Sequence, residues 1–494
     1  MGGGGATAPG GMAFETTAAF STWAATVGVS APAATLSTFA SGLRGVMATA
    51  PIRTGTTVVT VPRAAAFEVT TDDVRRSRLP GGVVPTDVWG KFPAWGRLAL
   101  LVAAARYMPS PSEVEEADKA KGGGRTTATA TAAAAAGDGR RVWLDAIGEV
   151  DVPLFWTDAE LAIAEYPPIV TRVAAQRATL RHLYESLSAG GAALADHLPY
   201  DGWLWAVAAV RSRAFSGPKE TAPFRSRLGL LAFIAVLGVV APAIGIVSPD
   251  AAANGALLAS LSLLGYDFLF PRILRAVQGV TLSRTSLVPW VDMANHSGRV
   301  VDRADVSVEY WRDRYAVVAG EDVQPGGEVC ISYGRQGNDA LLQYFGFVEA
   351  ANSWDDYTFA PAVGDVVAGL GGTKGGVVKK ASDKGFGGAP VAAPAVARGG
   401  PPAGTPPPLK IRRDIGFSAD VVATIGAADL ATLCELELDR FSTSAAADEA
   451  LLAAPGELTG RRRTAVAFRL EKKRLLRETA DALRATAGRD GKKG

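Results

Sequence analysis

The alternation of apolar and polar residues predicts short strands in the first and middle parts of the chain, with helices between them. The run 57–61, Thr-Val-Val-Thr-Val, is followed by proline and predicts a strand. Residues 306–310 alternate into a polar turn and continue to Val318, which predicts a β-hairpin. From about 95 to 213 apolar residues recur at spacings of three and four, so this region is predicted to be helical.

The pattern changes after 363–408, a stretch rich in Gly, Ala and Pro. Such a composition cannot bury enough apolar surface to offset its ordering entropy, so it is predicted to be a linker. Residues 409–487 are helical by the same spacing rule and end in an apolar stripe on a Lys/Arg-rich helix. The chain is therefore predicted to be an α+β domain followed by an all-α domain.

One apolar run fits neither domain. Residues 228–247 carry no charged side chain, and a second mostly apolar stretch follows at 255–270. At about 1.5 Å per residue, the first run could cross a hydrocarbon layer of about 30 Å. Pro242 and the glycines of the run argue against a membrane helix. Two interpretations stay open: a membrane hairpin within 228–270, or an insert packed against the protein's own helices.

Charge and composition exclude several function classes. The 51 basic and 49 acidic residues nearly balance, so nucleic acid is not an expected partner. The chain has only two cysteines and three widely spaced histidines, so we expect neither a disulfide framework nor a metal ion held by the protein. The basic runs 461–463 and 472–474 are predicted to form a solvated helix face. The first residues show no legible targeting signal, so the compartment stays open.

Three segments carry candidate chemistry, and the first is 41–49. Gly42 and Gly45 lie just ahead of an apolar run and would permit close approach of the backbone to a ligand. A pair of glycines is also typical of an ordinary turn, and this alternative stays open.

The second segment, 287–297, is an apolar run that ends in polar groups. Asp292, Asn295 and His296 would lie where a buried segment reaches the surface, which suits the orientation of a polar ligand. A capped turn with a hydrogen-bonded core histidine explains the same residues equally well.

The third segment, 327–334, places Tyr333 at the end of a predicted strand, followed by an aromatic run around Phe345. A rigid phenol can donate to, or accept from, a reacting group. A tyrosine that only closes a core is the alternative. Ser332 has no evident His and Asp partners, so a serine hydrolase is not expected.

Together the three segments resemble the SET-domain methyltransferases, in the branch that includes the plant Rubisco large-subunit lysine methyltransferase. The resemblance covers most of the chain. It extends beyond the three segments to 20–23, 142–144, 153–156, 205–215, 442–444, 448–451, Arg463 and 468–473.

The resemblance implies a fold and a set of domain limits. It implies a SET catalytic domain at 13–350, built from small β-sheets with a pseudo-knot and an inserted helical region at about 95–210. It implies that 216–284 is an insertion atypical of these relatives. Residues 409–487 are implied to form the helical substrate-binding domain of this branch.

The resemblance also implies roles for individual residues. The implied S-adenosylmethionine site contains Gly42, Leu43 and Arg44 through their backbones, with Asn295 and His296. Tyr333 is the implied catalytic residue. The implied positions near the cofactor and the substrate-lysine channel are Arg213, Asp292 and Phe345.

Two departures bear on the substrate. Phe345 stands where the Rubisco enzyme has a tyrosine, and Gly217 replaces a nearby arginine. Loss of a hydroxyl from the lysine channel loosens the limit on successive methylations in SET enzymes generally, so we expect di- or trimethylation.

The expected function is transfer of a methyl group from S-adenosylmethionine to a lysine of a protein substrate, by a monomer in the plastid or the cytoplasm. The alternative is a catalytically inactive SET-fold scaffold that binds peptides, either tethered to a membrane or not. Retention of Tyr333 and of the Asn295–His296 pair favours the enzyme.

Overall fold

The computed structural model describes residues 10–39, 42–71, 73, 79, 83–109, 139–218, 224–262, 283–309, 312–359, 409–454, 456, 458 and 460–490. These residues divide into two compact units, which are described separately. The first unit contains Met1–Gly148 and Leu187–Ser332, and the second contains Glu149–Ser186 and Tyr333–Gly494. The predicted limits 13–350 and 409–487 rest on family resemblance rather than on packing, and they stay a prediction. The predicted linker 363–408 lies outside the described residues.

The first unit is built on three small antiparallel sheets. One sheet pairs β1 with β2, the second has the order β3-β8-β7, and the third has the order β4-β6-β5. Their strands are β1 Ala34–Thr38, β2 Arg44–Ala48, β3 Thr57–Pro62, β4 Phe67–Thr70, β5 Phe215–Pro218, β6 Ser283–Leu287, β7 Asp305–Glu309 and β8 Arg314–Val318.

The strand and hairpin predicted from period-two alternation are both present. Strand β3 covers the predicted run, and β7 and β8 form the predicted antiparallel hairpin, with Val306 opposite Val317. Tyr310 of the predicted hairpin lies outside the described residues. The β4-β6 pairing joins positions more than two hundred residues apart, which no local pattern could predict.

The helices occupy both units. In chain order they are α1 Gly10–Thr26, α2 Thr86–Lys91, α3 Ala94–Tyr107, α4 Arg141–Ile147, α5 Asp158–Ala162, α6 Pro167–Ala189, α7 Tyr200–Arg213, α8 Phe224–Ala243, α9 249–262, α10 Asn338–Ala340, α11 Ala419–Ile425, α12 Ala427–Leu438, α13 Ala445–Ala453 and α14 Gly460–Asp490. In the first unit, α3 packs against α7 and α1 against α4. Large aromatic side chains fill this core, with Trp143 stacked on Phe67 at a ring-centroid distance of 5.4 Å.

The apolar run 228–247 lies mostly in α8, and α9 follows after a short turn. Large apolar side chains of this pair are exposed, among them Phe233 and Val239. The expectation that the insert buries itself against other helices of the protein is therefore wrong for residues 231–262. Among the described residues, no helix is long and apolar enough to cross a membrane. Residues 263–270 of the predicted membrane hairpin lie outside the described residues.

The second unit closes around an aromatic and aliphatic core. Helix α12 packs along α14, and a two-stranded sheet pairs β9 Asp356–Thr358 with β10 Lys410–Arg412. Segments from both ends of the unit fill the core, since Tyr166 contacts Tyr357 and Phe468. Residues near 166 and near 468 thus share one hydrophobic core.

The predicted solvated face of α14 is wrong for two of its lysines. Lys472 and Lys473 are buried, and their ammonium groups are paired with carboxylates inside the second unit. Burial opposes the charge of Lys472, but the neighbouring Asp339 and Asp355 outweigh it and raise the pKa of this ammonium above its usual value. A sequence pattern records a basic run but not the distant carboxylates that bury it.

Candidate active site

The backbone from Gly42 to Gly45 enters β2 through two glycines with different roles. Gly42 has a φ of +80°, the left-handed region that side-chain-bearing residues rarely adopt. Gly45 is instead required for space, because a Cβ there would lie 2.8 Å from Nδ2 of Asn295 and 3.0 Å from the ring of Phe39. Gly45 therefore leaves room for the side chain of Asn295, while the predicted close approach of this backbone to a ligand stays a prediction.

Asn295 joins the three sequence segments within the first unit. Its amide nitrogen donates to the carbonyl of Arg44 at 2.9 Å and to a carboxylate oxygen of Glu328 at 2.7 Å. Among the described residues, its side-chain oxygen accepts no hydrogen bond. The amide is thus held in one orientation with its acceptor available for a ligand.

Short backbone pairings bring the second and third segments together. His296 forms a parallel bridge with Ile331, whose N–H donates to the carbonyl of Asn295 at 2.8 Å. The N–H of Val329 donates to the carbonyl of Val46 at 2.7 Å, which ties the third segment to the first. Residues 42–46, 295–297 and 328–332 therefore form one small cluster in the first unit.

A strained residue leads into the turn that carries Asp292. Strand β6 is followed by Trp290, a buried tryptophan with a φ of +74° and a ψ of −46°. Such a conformation costs about 1–3 kcal/mol in a residue with a side chain and tends to occur at functional sites. The 3₁₀ turn Val291–Met293 then places Asp292 inside the unit.

Asp292 is a buried carboxylate among cations. One of its oxygens accepts from the Trp143 indole N–H at 2.9 Å, and Arg213 donates to its backbone carbonyl at 2.5 Å. Burial raises the pKa of Asp292 to about 6, although the nearby Arg213 and Arg44 guanidiniums and the Trp143 bond act in the opposite direction. Its other oxygen and Nε of Arg213 are buried without a hydrogen-bond partner among the described residues. Buried polar atoms without a partner are rare in folded proteins, and a polar ligand, an ion or a water molecule can supply the missing partner.

The side chain of Arg44 is bound to the protein's own backbone rather than directed toward a ligand. Its guanidinium donates to the carbonyls of Ala146 and Ile147 at the end of α4, where a cation also meets the negative end of the helix dipole. Only the backbone of Arg44 remains for a ligand, as the family resemblance implies. The neighbouring Leu43 is an exposed apolar side chain, 64% accessible.

Tyr333 and Phe345 lie together in the second unit. Their rings stack at a centroid distance of 4.7 Å, and Phe347 meets both rings edge-on at 6.4 Å. Phe345 ends a π-helical turn, Leu341–Phe345, a rare geometry that is frequent at functional sites. Gly346 follows with a φ of +77° and passes against the backbone of Asp151, where a Cβ would collide. The backbone of this turn therefore fixes the ring of Phe345 beside that of Tyr333.

Within each unit the predicted site residues come together as follows. In the first unit Asn295 contacts Arg44, which follows Gly42 and Leu43 in the chain, and His296 pairs with Ile331 next to Asn295. Arg213 contacts Asp292 in the same unit. The second unit groups Tyr333 with Phe345.

Glu328 and Trp143 lie in the segments 327–334 and 142–144, but the sequence predicted no role for either residue. Glu328 fixes the amide of Asn295, and Trp143 fixes the carboxylate of Asp292. Neither has a local signal, because each acts through a partner at least 33 residues away.

Comparison with known proteins finds two family patterns in this chain. The SET domain pattern matches residues 43–334, more than half of the chain. The chain belongs to the SET-domain family. A second pattern, described as Rubisco LSMT substrate-binding, matches residues 428–476 in the second unit. The recognition made from sequence is confirmed. No curated protein matched this SET-domain chain by sequence.

Solved structures of Rubisco LSMT share the fold. The structure of Rubisco LSMT bound to AdoMet aligns with a TM-score of 0.57 at 14% identity, covering 95% of this chain and 92% of that one. The SET domain of LSMT bound to lysine and AdoHcy gives a TM-score of 0.57 at 14% identity, covering 96% and 92%. Rubisco LSMT bound to sinefungin and monomethyllysine gives 0.55 at 15% identity, covering 97% and 93%. The predicted fold class, small antiparallel sheets with a helical C-terminal part, is confirmed.

Proposed function

We propose that this SET-domain protein transfers a methyl group from S-adenosylmethionine to a lysine side chain of a protein substrate. S-adenosylmethionine is the cofactor of SET methyltransferases. The observation that carries the proposal is the hydrogen bond from Asn295 to the carbonyl of Arg44, because it joins two segments 251 residues apart that the resemblance assigns to the cofactor.

The residues present fit that cofactor. The acceptor oxygen of Asn295 and the backbone of residues 42–44 offer hydrogen-bonding groups, and the exposed Leu43 offers an apolar surface for a ring. The second carboxyl oxygen of Asp292 and Nε of Arg213 add two buried polar groups that have no hydrogen-bond partner among the residues that the structure describes. When bound, S-adenosylmethionine supplies an electrophilic methyl group on a sulfonium.

The protein's own task is alignment. Methyl transfer to an amine is an in-line displacement, so the side chains must orient the lysine and exclude water. We assign Tyr333 to orient the neutral amine through its hydroxyl, and the stacked Phe345 to hold the phenol in place. The substrate lysine must lose its proton to solvent before transfer, and burial next to the positive charge of a bound sulfonium would favour its neutral form.

Phe345 also bears on the product. A tyrosine there would place a second hydroxyl beside the Tyr333 ring, where it could hold a methylated amine in an unreactive orientation. We therefore expect the natural protein to form di- or trimethyllysine and the Phe345→Tyr variant to stop earlier. Mass spectrometry of a methylated substrate protein measures this, and a wild-type product limited to monomethyllysine would contradict it.

The direct test is isothermal titration with S-adenosylmethionine. We expect binding in the wild type, loss of at least about tenfold in affinity in Asn295→Ala, and retained binding in Tyr333→Phe. The exposed Asn254→Ala serves as the matched control. Thermal unfolding of each variant separates loss of binding from loss of fold, since Asn295 also fixes two protein groups.

A folded wild type that binds no S-adenosylmethionine would overturn the proposal and favour a catalytically inactive peptide-binding scaffold. The partner of the active enzyme is a protein that presents a lysine. A monomeric state and a plastid or cytoplasmic location accompany the proposal as predictions.

A further inference from the structure

Helices α8 and α9 approach each other through small residues and expose large apolar side chains. The half-buried positions of α8 recur at Ile234, Gly238 and Ala241, and those of α9 at Ala252, Ala256 and Ser260. A Cβ added at Gly238 would lie only 3.3 Å from Cβ of Ala256, so the two helices approach closely through small residues. Of these six half-buried positions only Ile234 carries a large side chain, so small residues predominate between the two helices.

The large apolar side chains of the pair point outward instead. They are 40–72% exposed. They are Phe233, Val236, Leu237, Val239, Val240, Ile244, Ile246, Val247, Leu257, Leu258 and Leu261. In water, a helix normally turns its large apolar residues toward the core and its small or polar residues outward. The reverse arrangement is typical of helices surrounded by lipid, where small residues permit close helix packing and apolar tails meet the large ones.

The exposed residues surround the pair rather than mark one face. They include both helices and the turn between them, where Ile244, Ile246 and Val247 are exposed. One protein surface, including a second copy of the chain, would cover a single side of such a hairpin. A fluid apolar medium covers all sides at once.

The order of the two helices shows which end of the pair would meet an apolar medium first. The two helices contact each other at similar distances from their turn, so they run antiparallel and the turn is the tip. In the sequence, Lys219, Arg225 and Arg227 precede the apolar run, and Arg225 and Arg227 lie in the first turn of α8, at the end away from the tip. Basic residues next to an apolar segment favour anionic lipid headgroups.

We propose that the α8–α9 hairpin enters the surface of an anionic lipid bilayer tip first and attaches the protein to it. In the sequence, α8 and α9 lie between β5 and β6, which pair antiparallel. The inference is independent of the proposed methyltransferase activity.

Flotation of the full chain with vesicles of phosphatidylcholine and phosphatidylglycerol tests the proposal. We expect the wild type to float with the vesicles. The double variant Val236→Glu/Val239→Glu should lose at least about tenfold in the bound fraction, because two charges would enter hydrocarbon. The control Leu436→Glu changes an equally exposed leucine of the second unit and should float like the wild type.

A second double variant, Val239→Ser/Leu257→Ser, introduces no charge and should also bind vesicles less. Failure of the wild type to float, or flotation of both double variants at the wild-type level, would overturn the proposal. So would a wild type that is dimeric without vesicles and that Val236→Glu/Val239→Glu converts to a monomer, because a second copy would then cover the hairpin. Size-exclusion chromatography with light scattering reports that outcome.

Discussion

At the scale of single residues, Gly42 and Gly45 show that one residue type meets two different physical needs. Gly42 supplies a left-handed backbone and has open space where a Cβ would lie. Gly45 lies in β2 and has no room for a Cβ beside Asn295. Substitution should therefore act on the backbone at one glycine and on the neighbouring amide at the other.

Alanine at each glycine tests this difference. Gly42→Ala should lower the free energy of unfolding by about 1 kcal/mol through backbone strain and leave Asn295 in place. Gly45→Ala should displace the Asn295 amide and weaken S-adenosylmethionine binding more than Gly42→Ala does. Chemical denaturation and titration measure the two effects, and equal losses of binding in both variants would contradict the assignment.

The raised pKa of Asp292 predicts that the stability of the protein depends on pH. Burial raises its pKa from 3.8 to about 6, so the folded protein favours the protonated carboxyl more than the unfolded chain does. That stabilisation is fully present below pH 3.8 and is lost as the pH rises through about 6. Asp292→Asn keeps an acceptor for Trp143 without the charge, so it should be more stable than the wild type at pH 8, by about 1–3 kcal/mol.

The difference between Asp292→Asn and the wild type should shrink as the pH falls from about 6 toward 4. Thermal unfolding at several pH values measures it, with the exposed Asp250→Asn as control. A difference that stays constant across this range would show that Asp292 is ionised in the folded protein at all these pH values.

At the scale of elements, helix α14 connects the tail of the chain to the segment that carries Phe345. Lys472 donates to Asp355 at 2.8 Å and pairs with Asp339 at 2.7 Å, while Asn338 binds Asp355 through its amide and backbone nitrogens. Through Lys472 and Asp355, α14 therefore holds Asn338 and Asp339, which lie just before the π-helical turn. Breaking this network should make the rings of Tyr333, Phe345 and Phe347 more mobile, although none of the three is mutated.

Lys472→Met tests the network. Removing one partner of a buried ion pair leaves uncompensated carboxylates, and this typically costs about 3–5 kcal/mol. The exposed Arg462→Met on the same helix should change stability by less than about 0.5 kcal/mol. Urea denaturation compares the two, and similar stabilities would mean that the carboxylates around Lys472 find other partners.

At the scale of the whole molecule, the predictable and unpredictable parts separate by the range of the interactions. Strand β3 and the β7–β8 hairpin could be predicted because their signal is local alternation. The contact between Asn295 and Arg44 came from family resemblance, since nothing in their spacing indicates it. The burial of Lys472 was missed because its carboxylate partners lie more than a hundred residues away.

The arrangement of the second unit predicts how the chain tolerates truncation. Its core combines Tyr166 and Ile169 of residues 149–186, the middle segment of the chain, with Phe468 and Leu476 of α14. A fragment that ends at residue 350 follows the predicted SET domain limit but removes the partners of that middle segment. We expect the fragment to expose apolar surface, bind a hydrophobic dye and unfold without a cooperative transition.

The same fragment should recover when residues 351–494 are supplied as a separate chain, because the missing core partners return. Dye fluorescence and calorimetry before and after mixing measure the recovery. A fragment that unfolds cooperatively by itself and binds no dye would mean that the middle segment finds its core without α14. In that case the family-based limit at 350, rather than the packing of Tyr166 against Phe468, would define the stable folding unit.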